Sequence, residues 1–452
     1  MASASHVSEN TNSFEAIPSE INYFDQDFIQ TSIVDEFDRD FIPLASLAGD
    51  GPIEFLVRGA DNLLLDLNNS KIEIKVRILR DNGTNITDDD NVGPVNLLLH
   101  ALFAHVEVEL CGKSYGDPNS LYPYKAYIET LLNCPVDVLE SRVKAEGWEK
   151  DTSDRMDVTN PDLDNKEANI GLKTRAIDFR ESRTVTLIGR PHHELFHQEK
   201  DIPPNCDLKL RLFRNRAPFC LLAEKPKQIN DRVNYRIDIR AARFFLRTKV
   251  LSPHVSLAFE QAILKTNFRL RPAKNPMKHV SIPVGVSCFE LDNVYMGLLP
   301  DRIFVCLVGD ENMAGSFYTN PFEFGHYNLS QIGIKVNSEA IPRPPLSLSF
   351  RDGEEDYLRG YMLLLEALGI DEGDRSIDLT PEEWASGYTI FGFKITPGPI
   401  GASGARSIQR SGSLRIEVKF STPTAININL LLYAEYPNLV EIDRFRNMIT
   451  NT

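Results

Sequence analysis

Residues 71–79 read KIEIKVRIL. Apolar and charged residues alternate in this segment, so in a strand the isoleucines and the valine share one face and the charged side chains share the other. This pattern is typical of an antiparallel strand with one face on a core and the other in water. The segment therefore predicts a β-sheet that covers a hydrophobic core on one side.

The same kind of pattern recurs along the chain, in residues 105–110, 207–212, 414–420 and 426–432. Other predicted strands cover residues 183–188, 235–246, 303–308, 332–336, 346–350 and 388–395. Long polar loops separate these strands. Many short strands joined by such loops predict a mainly β protein built of sandwiches or barrels.

Helical patterns are few and short. They cover residues 121–132, 136–148, 255–265 and 357–368. Residues 380–383 read TPEE, a capping box with proline at the first helical position. The predicted class is therefore mainly β with short inserted helices.

The order of the elements repeats in two halves of the chain. In the first half a strand leads to the helix YPYKAYIETLL (122–132) and later to the strand CDLKLRLF (206–213). In the second half a strand leads to the helix DYLRGYMLLLEALG (356–369) and later to SLRIEVKF (413–420). This repeat predicts two tandem jelly-roll β-sandwiches, because eight-stranded sandwiches with long loops are jelly rolls.

The predicted domains follow from that repeat. The first jelly roll covers residues 51–234 and the second covers residues 235–447, with the joint near residues 230–235. Residues 1–50 form an N-terminal arm and lead-in, of which 1–20 are a mobile arm or a plain disordered tail. Residues 448–452 form a C-terminal tail.

The balance of charge is acidic, with 64 Asp and Glu against 49 Lys and Arg and a formal net charge of −15. An acidic surface repels phosphate backbones, so we expect no specific nucleic-acid site. Arg236, Arg240, Arg243 and Arg247, followed by Lys249, form a basic run. Charges on the wet face of a strand, or at subunit contacts, explain this run more simply than a nucleic-acid strip.

The six cysteines include no C-x-x-C pair, and they are too sparse for a disulfide scaffold. The N-terminal residues lack the basic start and apolar stretch of a signal peptide. No stretch approaches the roughly 18 apolar residues that a membrane span needs. The sequence thus predicts an intracellular, reduced protein with no membrane span.

The sharpest chemical motif is H-E-x-x-H, at His193, Glu194 and His197. On a helix the two histidines share a face and bind zinc, with the glutamate as general base. Here residues 189–191 (GRP) and 202–204 (IPP) leave room for few helical turns, and a third ligand is not evident downstream. We therefore predict no catalytic residue, no metal and no cofactor, with a zinc-dependent peptidase as the alternative function.

Two further alternatives rest on weaker features. The acidic triplet at residues 88–90 would suit a cation, although solvated loop charge is the simpler interpretation. A β-sandwich carbohydrate-binding module would stack sugars on exposed aromatic rings, but both tryptophans, Trp148 and Trp384, lie in predicted helices.

Ten stretches carry a family resemblance through their order over most of the chain. They are NVGPVNLLLHALFAHVEVELCGK (91–113), YPYKAYIETLL (122–132), NIGLKTR (169–175), TLIGRPHHELF (186–196), DLKLRLFRNRAPFCL (207–221), KVLSPHVSLA (249–258), DNVYMGLLPDRI (292–303), NPFEFGHYN (320–328), GYTIFGFKITP (387–397) and LLYAEYPNLVEIDRFRN (431–447). In these stretches the chain resembles the double jelly-roll major capsid proteins of Polinton (Maverick) elements and adintoviruses.

The resemblance implies a structural capsid protein rather than an enzyme. Its two jelly rolls would stand perpendicular to the shell, and three chains would form a homotrimeric capsomer. Neighbouring trimers would tile an icosahedral shell around a double-stranded DNA genome. The implied partners are a single jelly-roll penton protein and minor capsid proteins, and the implied location is the virion capsid after synthesis inside the host cell. The charged C-terminal stretch would clasp a neighbour or end as a closing strand.

Overall fold

The computed structural model describes residue 23 and residues 29–164, 166–226, 233–351, 353–372, 375–396 and 408–450. The predicted arm at residues 1–20 lies outside this part of the chain. Strands make up 39% of the structure and helices 19%, which confirms the mainly β class.

Among the described residues, the first half contributes ten strands. They are β1 (Ile33–Phe41), β2 (Ile53–Val57), β3 (Leu63–Arg80), β4 (Val92–Pro94), β5 (Phe103–Leu110), β6 (Lys113–Tyr115), β7 (Val185–Gly189), β8 (Leu208–Arg214), β9 (Leu221–Ala223) and β10 (Tyr235–Leu251).

The second half contributes the remaining described strands. They are β11 (Phe268–Leu270), β12 (Met277–Ile282), β13 (Cys288–Leu291), β14 (Met296–Leu298), β15 (Arg302–Gly309), β16 (Leu329–Val336), β17 (Glu339–Ser347), β18 (Ile390–Lys394), β19 (Ser411–Phe420), β20 (Ile428–Glu435), β21 (Val440–Ile442) and β22 (Met448–Thr450).

The α-helices are short and lie between strands. They are α1 (Leu98–Ala101), α2 (Tyr122–Asn133), α3 (Val136–Leu139), α4 (Ile170–Phe179), α5 (Ala217–Cys220), α6 (Pro253–Ile263), α7 (Asp310–Ala314), α8 (Leu358–Leu368) and α9 (Pro381–Ala385). In the described part of the chain, no helix combines the length and the apolar character needed to cross a membrane.

The strands form two sandwiches of the same plan. The first has sheets in the order β1-β10-β3-β7 and β2-β8-β5-β6, and the second has β12-β20-β15-β18 and β13-β19-β16-β17. Each strand of the first sandwich has a counterpart in the second, in the same chain order. The first set is β1, β2, β3, β5, β6, β7, β8 and β10, and the second set is β12, β13, β15, β16, β17, β18, β19 and β20. The predicted repeat of two sandwiches is therefore confirmed at the level of strand pairing.

The segment KIEIKVRIL lies in β3, as its alternation predicts. Ile72 and Ile74 are completely buried, and Ile72 pairs with Phe244 of β10. The ring of Phe244 meets Phe55 of the opposite sheet at 5.9 Å, so these side chains fill the space between the sheets. Burying one such side chain contributes about 1.5–3 kcal/mol, which explains why this face is fixed toward the core.

Strand β10 belongs to the first sandwich, although it follows the predicted joint. It lies between β1 and β3, and it pairs with β3 from Tyr235 to Val250 and with β1 from Phe244 to Leu251. Consequently the lead-in predicted within residues 1–50 contains β1, the edge strand of the same sheet. The pattern of β10 identifies a strand but does not identify its partners, which lie far away in the sequence. We propose that the division between the sandwiches follows β10 rather than residue 234.

The C-terminal stretch folds back on its own chain. Strands β21 and β22 form a hairpin, and β11 pairs with β21 on its other side. The hydroxyl of Thr450 accepts a 3.0 Å hydrogen bond from Nζ of Lys113 in the first sandwich. The residues predicted as a tail therefore form a strand as far as Thr450, and within this chain the stretch closes a sheet.

The helix predicted over residues 136–148 is broken. Only α3 and a 3₁₀ segment, Arg142–Glu146, form there. Between them, Ser141 leaves the helical region and its hydroxyl donates a 2.5 Å hydrogen bond to the carbonyl of Asp137. Serine side chains compete in this way with backbone hydrogen bonds, so the helical pattern is interrupted.

Aromatic side chains join the two sandwiches. Tyr127 of α2 stacks on Phe322, from the second half, with ring centroids 4.2 Å apart. Tyr124 and Phe219 meet the same ring edge-on at 5.8 and 6.0 Å. These contacts make the two sandwiches share one buried core, which fixes their mutual position.

Candidate functional site

The H-E-x-x-H segment does not form the helix that a zinc peptidase requires. Its central residues, Glu194–Phe196, form one 3₁₀ turn that follows His193 in extended conformation. The His193 ring lies with Nε2 2.8 Å from the carbonyl of Tyr115. His197 instead lines a cavity on another side of the turn. The motif therefore does not bring its two histidines together as zinc ligands, and the alternative peptidase site is not formed.

Glu194, the general base of that alternative, serves as one half of a buried ion pair. Its Oε1 lies 2.6 Å from Nζ of Lys125 on α2, and both side chains are buried. Burial alone would raise the pKa of Glu194, but Lys125 and then His193 lower it below its usual value. Burial lowers the pKa of His193. A paired carboxylate of this kind holds α2 against the turn.

A polar cavity of about 910 Å³ lies between the two sandwiches. Among the side chains that line it are Glu129, Arg190, His192, His197, Arg302 and Glu435. The first four come from the first sandwich, while Arg302 and Glu435 come from β15 and β20 of the second. Arg302 and Glu435 form an ion pair with each other.

Glu129 is the centre of the polar contacts at this cavity. Its Oε1 accepts a 2.9 Å hydrogen bond from the Tyr433 hydroxyl, and its Oε2 lies 2.8 Å from Nδ1 of His192. Burial alone would raise the pKa of Glu129, but Lys125 and His192 lower it well below the usual value. The carboxylate is therefore held ionised between the two sandwiches.

His100 lies behind His192 and is fully buried. Its Nδ1 lies 2.8 Å from the Tyr122 hydroxyl, and its Nε2 lies 2.9 Å from Oε2 of Glu146. Burial lowers the pKa of His100. Both nitrogens of His100 are thus used, as expected of a histidine that serves the packing.

Patterns along the chain did not single out Glu129, His192 or Tyr433. His192 is the neighbour of the motif and has an i, i+5 spacing to His197, which matches no standard zinc signature. In the sequence, Glu129 has the pattern of an ordinary charged residue on the surface of a helix. No local spacing reports their proximity, because it arises from packing of α2 against the loop after β7.

The basic run on β10 is largely neutralised by acidic residues. Arg247 lies 2.8 Å from Asp38 of β1, and Arg243 lies 3.4 Å from Asp40. Lys249 lies 2.8 Å from Asp66 of β3. The acidic residues of β1 thus pair with the basic residues of β10. This pairing agrees with the interpretation of the basic run as charges on the solvent-facing side of a sheet.

The other singled-out residues have structural surroundings. Asp90, from the acidic triplet, lies 2.7 Å from Arg80. Burial raises the pKa of Asp90, but hydrogen bonds from Arg80 and Thr87 lower it overall. Trp148 and Trp384 are only 1% and 0% exposed, so neither ring is available to stack on a sugar.

No family model matches the chain. A protein of Caenorhabditis elegans, described as the uncharacterized protein F54H12.2, is 23% identical over 417 residues, which cover 89% of this chain and 94% of that protein. The similarity therefore extends over nearly the full length of both proteins.

Solved structures match the fold over nearly the whole chain. The Sputnik virophage structure matches with a TM-score of 0.63 at 10% identity, covering 97% of this chain and 93% of that chain. The mavirus major capsid protein matches with a TM-score of 0.54 at 11% identity, covering 100% and 96%. The PBCV-1 virus capsid matches with a TM-score of 0.53 at 10% identity, covering 95% and 99%.

The chain has a double jelly-roll fold. In this double jelly roll, β10 and β20 are the corresponding last strands of the two sandwiches, and Tyr433 on β20 reaches across to Glu129. The polar cavity is thus built where the two jelly rolls meet.

The double jelly roll also exposes apolar side chains at its periphery. Leu257 on α6 and the adjacent Leu264 are 60% and 68% exposed. Phe445, in the β21–β22 hairpin, is 69% exposed. Arg446 of that hairpin lies 2.6 Å from Glu260 of α6, so the helix and the hairpin are neighbours. Exposed apolar residues on adjoining elements are a feature of interaction surfaces.

Proposed function

We propose that this protein is a viral-type major capsid protein that assembles as a homotrimer. The observation that carries the proposal is the double jelly roll in a single chain, matched over 93% or more of the Sputnik and mavirus chains. Because sequence identity to them is only 10–11%, this likeness concerns the fold. The mavirus chain is a major capsid protein, which supports the functional step.

In the proposed assembly, trimers tile an icosahedral shell around double-stranded DNA. The resemblance of the ten stretches to Polinton and adintovirus capsid proteins supports this finer assignment. Its partners are then neighbouring trimers, a single jelly-roll penton protein and minor capsid proteins. The protein acts in the virion capsid after synthesis inside the host cell, without catalysis and without a specific nucleic-acid site.

The α6–hairpin surface, defined by Leu257, Leu264 and Phe445, is a candidate contact between chains. Obligate interfaces are more hydrophobic than the rest of a protein surface. Burying these exposed side chains against a second chain would remove apolar area from water and stabilise the assembly.

The test is the mass of the purified protein in solution, by light scattering on a size-exclusion column. We expect three times 51.0 kDa, followed by closed shells in negative-stain images at high concentration. A protein that stays monomeric at every concentration would contradict the proposal.

Matched variants locate the contact. The double variant Leu257→Asp with Leu264→Asp is expected to shift the trimer toward monomer without lowering the monomer's content of β structure. Ala262→Asp places a charge at an exposed position on the opposite face of the same helix, because five and two residues separate it from Leu257 and Leu264, so it should leave the trimer intact. If both variants behave alike, the contact lies elsewhere.

A further inference from the structure

Three metal-ligating side chains converge at the cavity between the jelly rolls. They are Glu129 on α2 and His192 and His197 in the loop after β7. Each offers one ligand atom, and these atoms lie within 4.8 Å of one another. The three groups could close around one ion with small side-chain movements, since zinc ligands lie about 2.0–2.2 Å from the metal.

The His197 ring has no hydrogen-bond partner among the described residues, although it packs at 5.3 Å from the His192 ring. It lines the cavity, where its ring is accessible. An imidazole in such a polar cleft, with its nitrogens unused, is free to bind a metal.

Neighbouring groups already orient the other two ligands. Tyr433 and Asn275 hold Oε1 of Glu129 at 2.9 and 3.4 Å, which directs Oε2 toward His192. The Thr130 hydroxyl lies 3.3 Å from Nε2 of His192, so Nδ1 is the nitrogen that faces the carboxylate. Outer contacts of this kind fix the ligands of protein metal sites.

Two of the cations around the site are paired with other acids. Lys125 is paired with Glu194 at 2.6 Å, and Arg302 is paired with Glu435. Arg190, which also lines the cavity, donates a hydrogen bond to the carbonyl of Asn68. Because Glu129 forms no ion pair with these three cations, its carboxylate can bind an added cation.

We propose that Glu129, His192 and His197 bind a divalent transition-metal ion such as Zn²⁺. Two imidazoles and one carboxylate are a ligand set that zinc accepts, and the fourth position would open into the cavity. Because Tyr433 and Asn275 belong to the second jelly roll, the ion would strengthen the link between the two jelly rolls. This inference goes beyond the proposed assembly role and does not depend on it.

Two nearby groups of residues are poorer sites. His100 and Glu146, with His192, also lie within reach of one ion. However, the His100 ring is fully buried, whereas the His197 ring is exposed to the cavity. His193 of the H-E-x-x-H motif faces the Tyr115 carbonyl instead.

The experiment titrates Zn²⁺ into the full chain after treatment with a chelator, against a chromophoric competitor. The wild-type protein should bind one Zn²⁺ per chain. His197→Ala should weaken that affinity about 100-fold or more, since even outer contacts are worth about 10–100-fold. Glu129→Gln preserves the shape of the side chain and should also weaken binding.

His193→Gln is the matched control, because it alters the motif but none of the three ligands. It should bind Zn²⁺ as the wild type does. Excess Zn²⁺ should also raise the unfolding temperature of the wild type and of His193→Gln, but not that of His197→Ala. Substituted Co²⁺ should give the visible absorption of a four-coordinate site, which His197→Ala should lose.

Three results would overturn the proposal. One is a wild-type chain that binds no Zn²⁺ in the titration. Another is equal affinity in the wild type, His197→Ala and Glu129→Gln. The third is a loss of binding in His193→Gln alone. Circular dichroism of each variant shows whether it is folded. If His197→Ala does not fold, Glu129→Gln is used in its place to test the loss of Zn²⁺ binding.

Discussion

The hydroxyl of Tyr433, on β20 of the second jelly roll, donates a 2.9 Å hydrogen bond to Oε1 of Glu129, on α2 of the first. The two residues are 304 positions apart in the sequence. Both side chains are buried, so the hydrogen bond is made away from bulk solvent. The contact therefore couples the stability of the two jelly rolls to the geometry of the polar cavity.

Tyr433→Phe should destabilise the protein. A hydrogen bond to a charged group contributes about 1.5–3 kcal/mol, and the variant leaves Glu129 with one donor fewer. The free energy of unfolding from urea titrations measures the loss. Tyr295→Phe is the control, because the buried Tyr295 hydroxyl has no hydrogen-bond partner and its removal should cost little. Equal losses in the two variants would count against the role of the Glu129 contact.

Gly116→Ala should be more harmful than Gly112→Ala. Gly116 has φ +111, and a Cβ there would lie 2.6 Å from Nε2 of His193. Gly112 also has a positive φ, of +78, but a Cβ there meets nothing within 4 Å. We expect a loss of about 1–3 kcal/mol from strain at each site, with a further loss from the clash at Gly116. Parallel urea titrations of the two variants test this order, and a reversed order would refute it.

Stability should fall as pH rises because of Glu323. Burial, followed by a hydrogen bond and repulsion from Asp157, raises the pKa of Glu323 to about 8. An unfolded glutamate titrates near about 4.3, so between roughly pH 4 and pH 8 the folded protein holds a proton that the unfolded chain has released. This contribution is complete at low pH and is lost as pH rises through the folded pKa.

Glu323→Gln should therefore flatten the pH dependence of the unfolding temperature between pH 5 and pH 8. The free energy of unfolding of the variant should match that of the wild type at the lower pH. At the higher pH it should exceed the wild-type value by up to about 1.4 kcal/mol per unit of pKa shift, and the unfolding temperature should rise with it. Glu311→Gln, at an exposed acid on the nearby α7, is the control and should follow the wild-type curve. If the unfolding temperatures of Glu323→Gln and the wild type followed the same curve against pH, the raised pKa of Glu323 beside Asp157 would be contradicted.

Phe322→Ala should loosen the two jelly rolls. Phe322 is 1% exposed and stacks on Tyr127 at 4.2 Å, so its removal leaves a cavity at the joint. Such truncations cost about 3–5 kcal/mol. Limited proteolysis and thermal melts should show earlier unfolding than in Val284→Ala, which alters a side chain that is 58% exposed. Equal protease resistance in the two variants would show that this contact does not hold the jelly rolls together.

The sequence predicts an element correctly where the pattern that defines it lies within that element. The alternation in β3, the pattern of α2 and the capping box at Thr380 each act within one element, and all three elements form. The helix predicted over residues 136–148 was wrong, because one hydrogen bond from Ser141 interrupts it. The H-E-x-x-H motif forms one 3₁₀ turn at Glu194–Phe196, which is too short to place both histidines on one helix face.

Local patterns in the amino-acid sequence are enough to predict the class, the repeated order of strands and the buried faces, because period-two alternation is a property of neighbouring residues. Three-dimensional packing is needed to show that β10 closes the first sandwich and that Glu129 contacts His192, 63 positions away, and Tyr433, 304 positions away. Pairing partners and converging ligands depend on which distant surfaces pack together. That choice is made by the burial of the whole core, and no single segment encodes it.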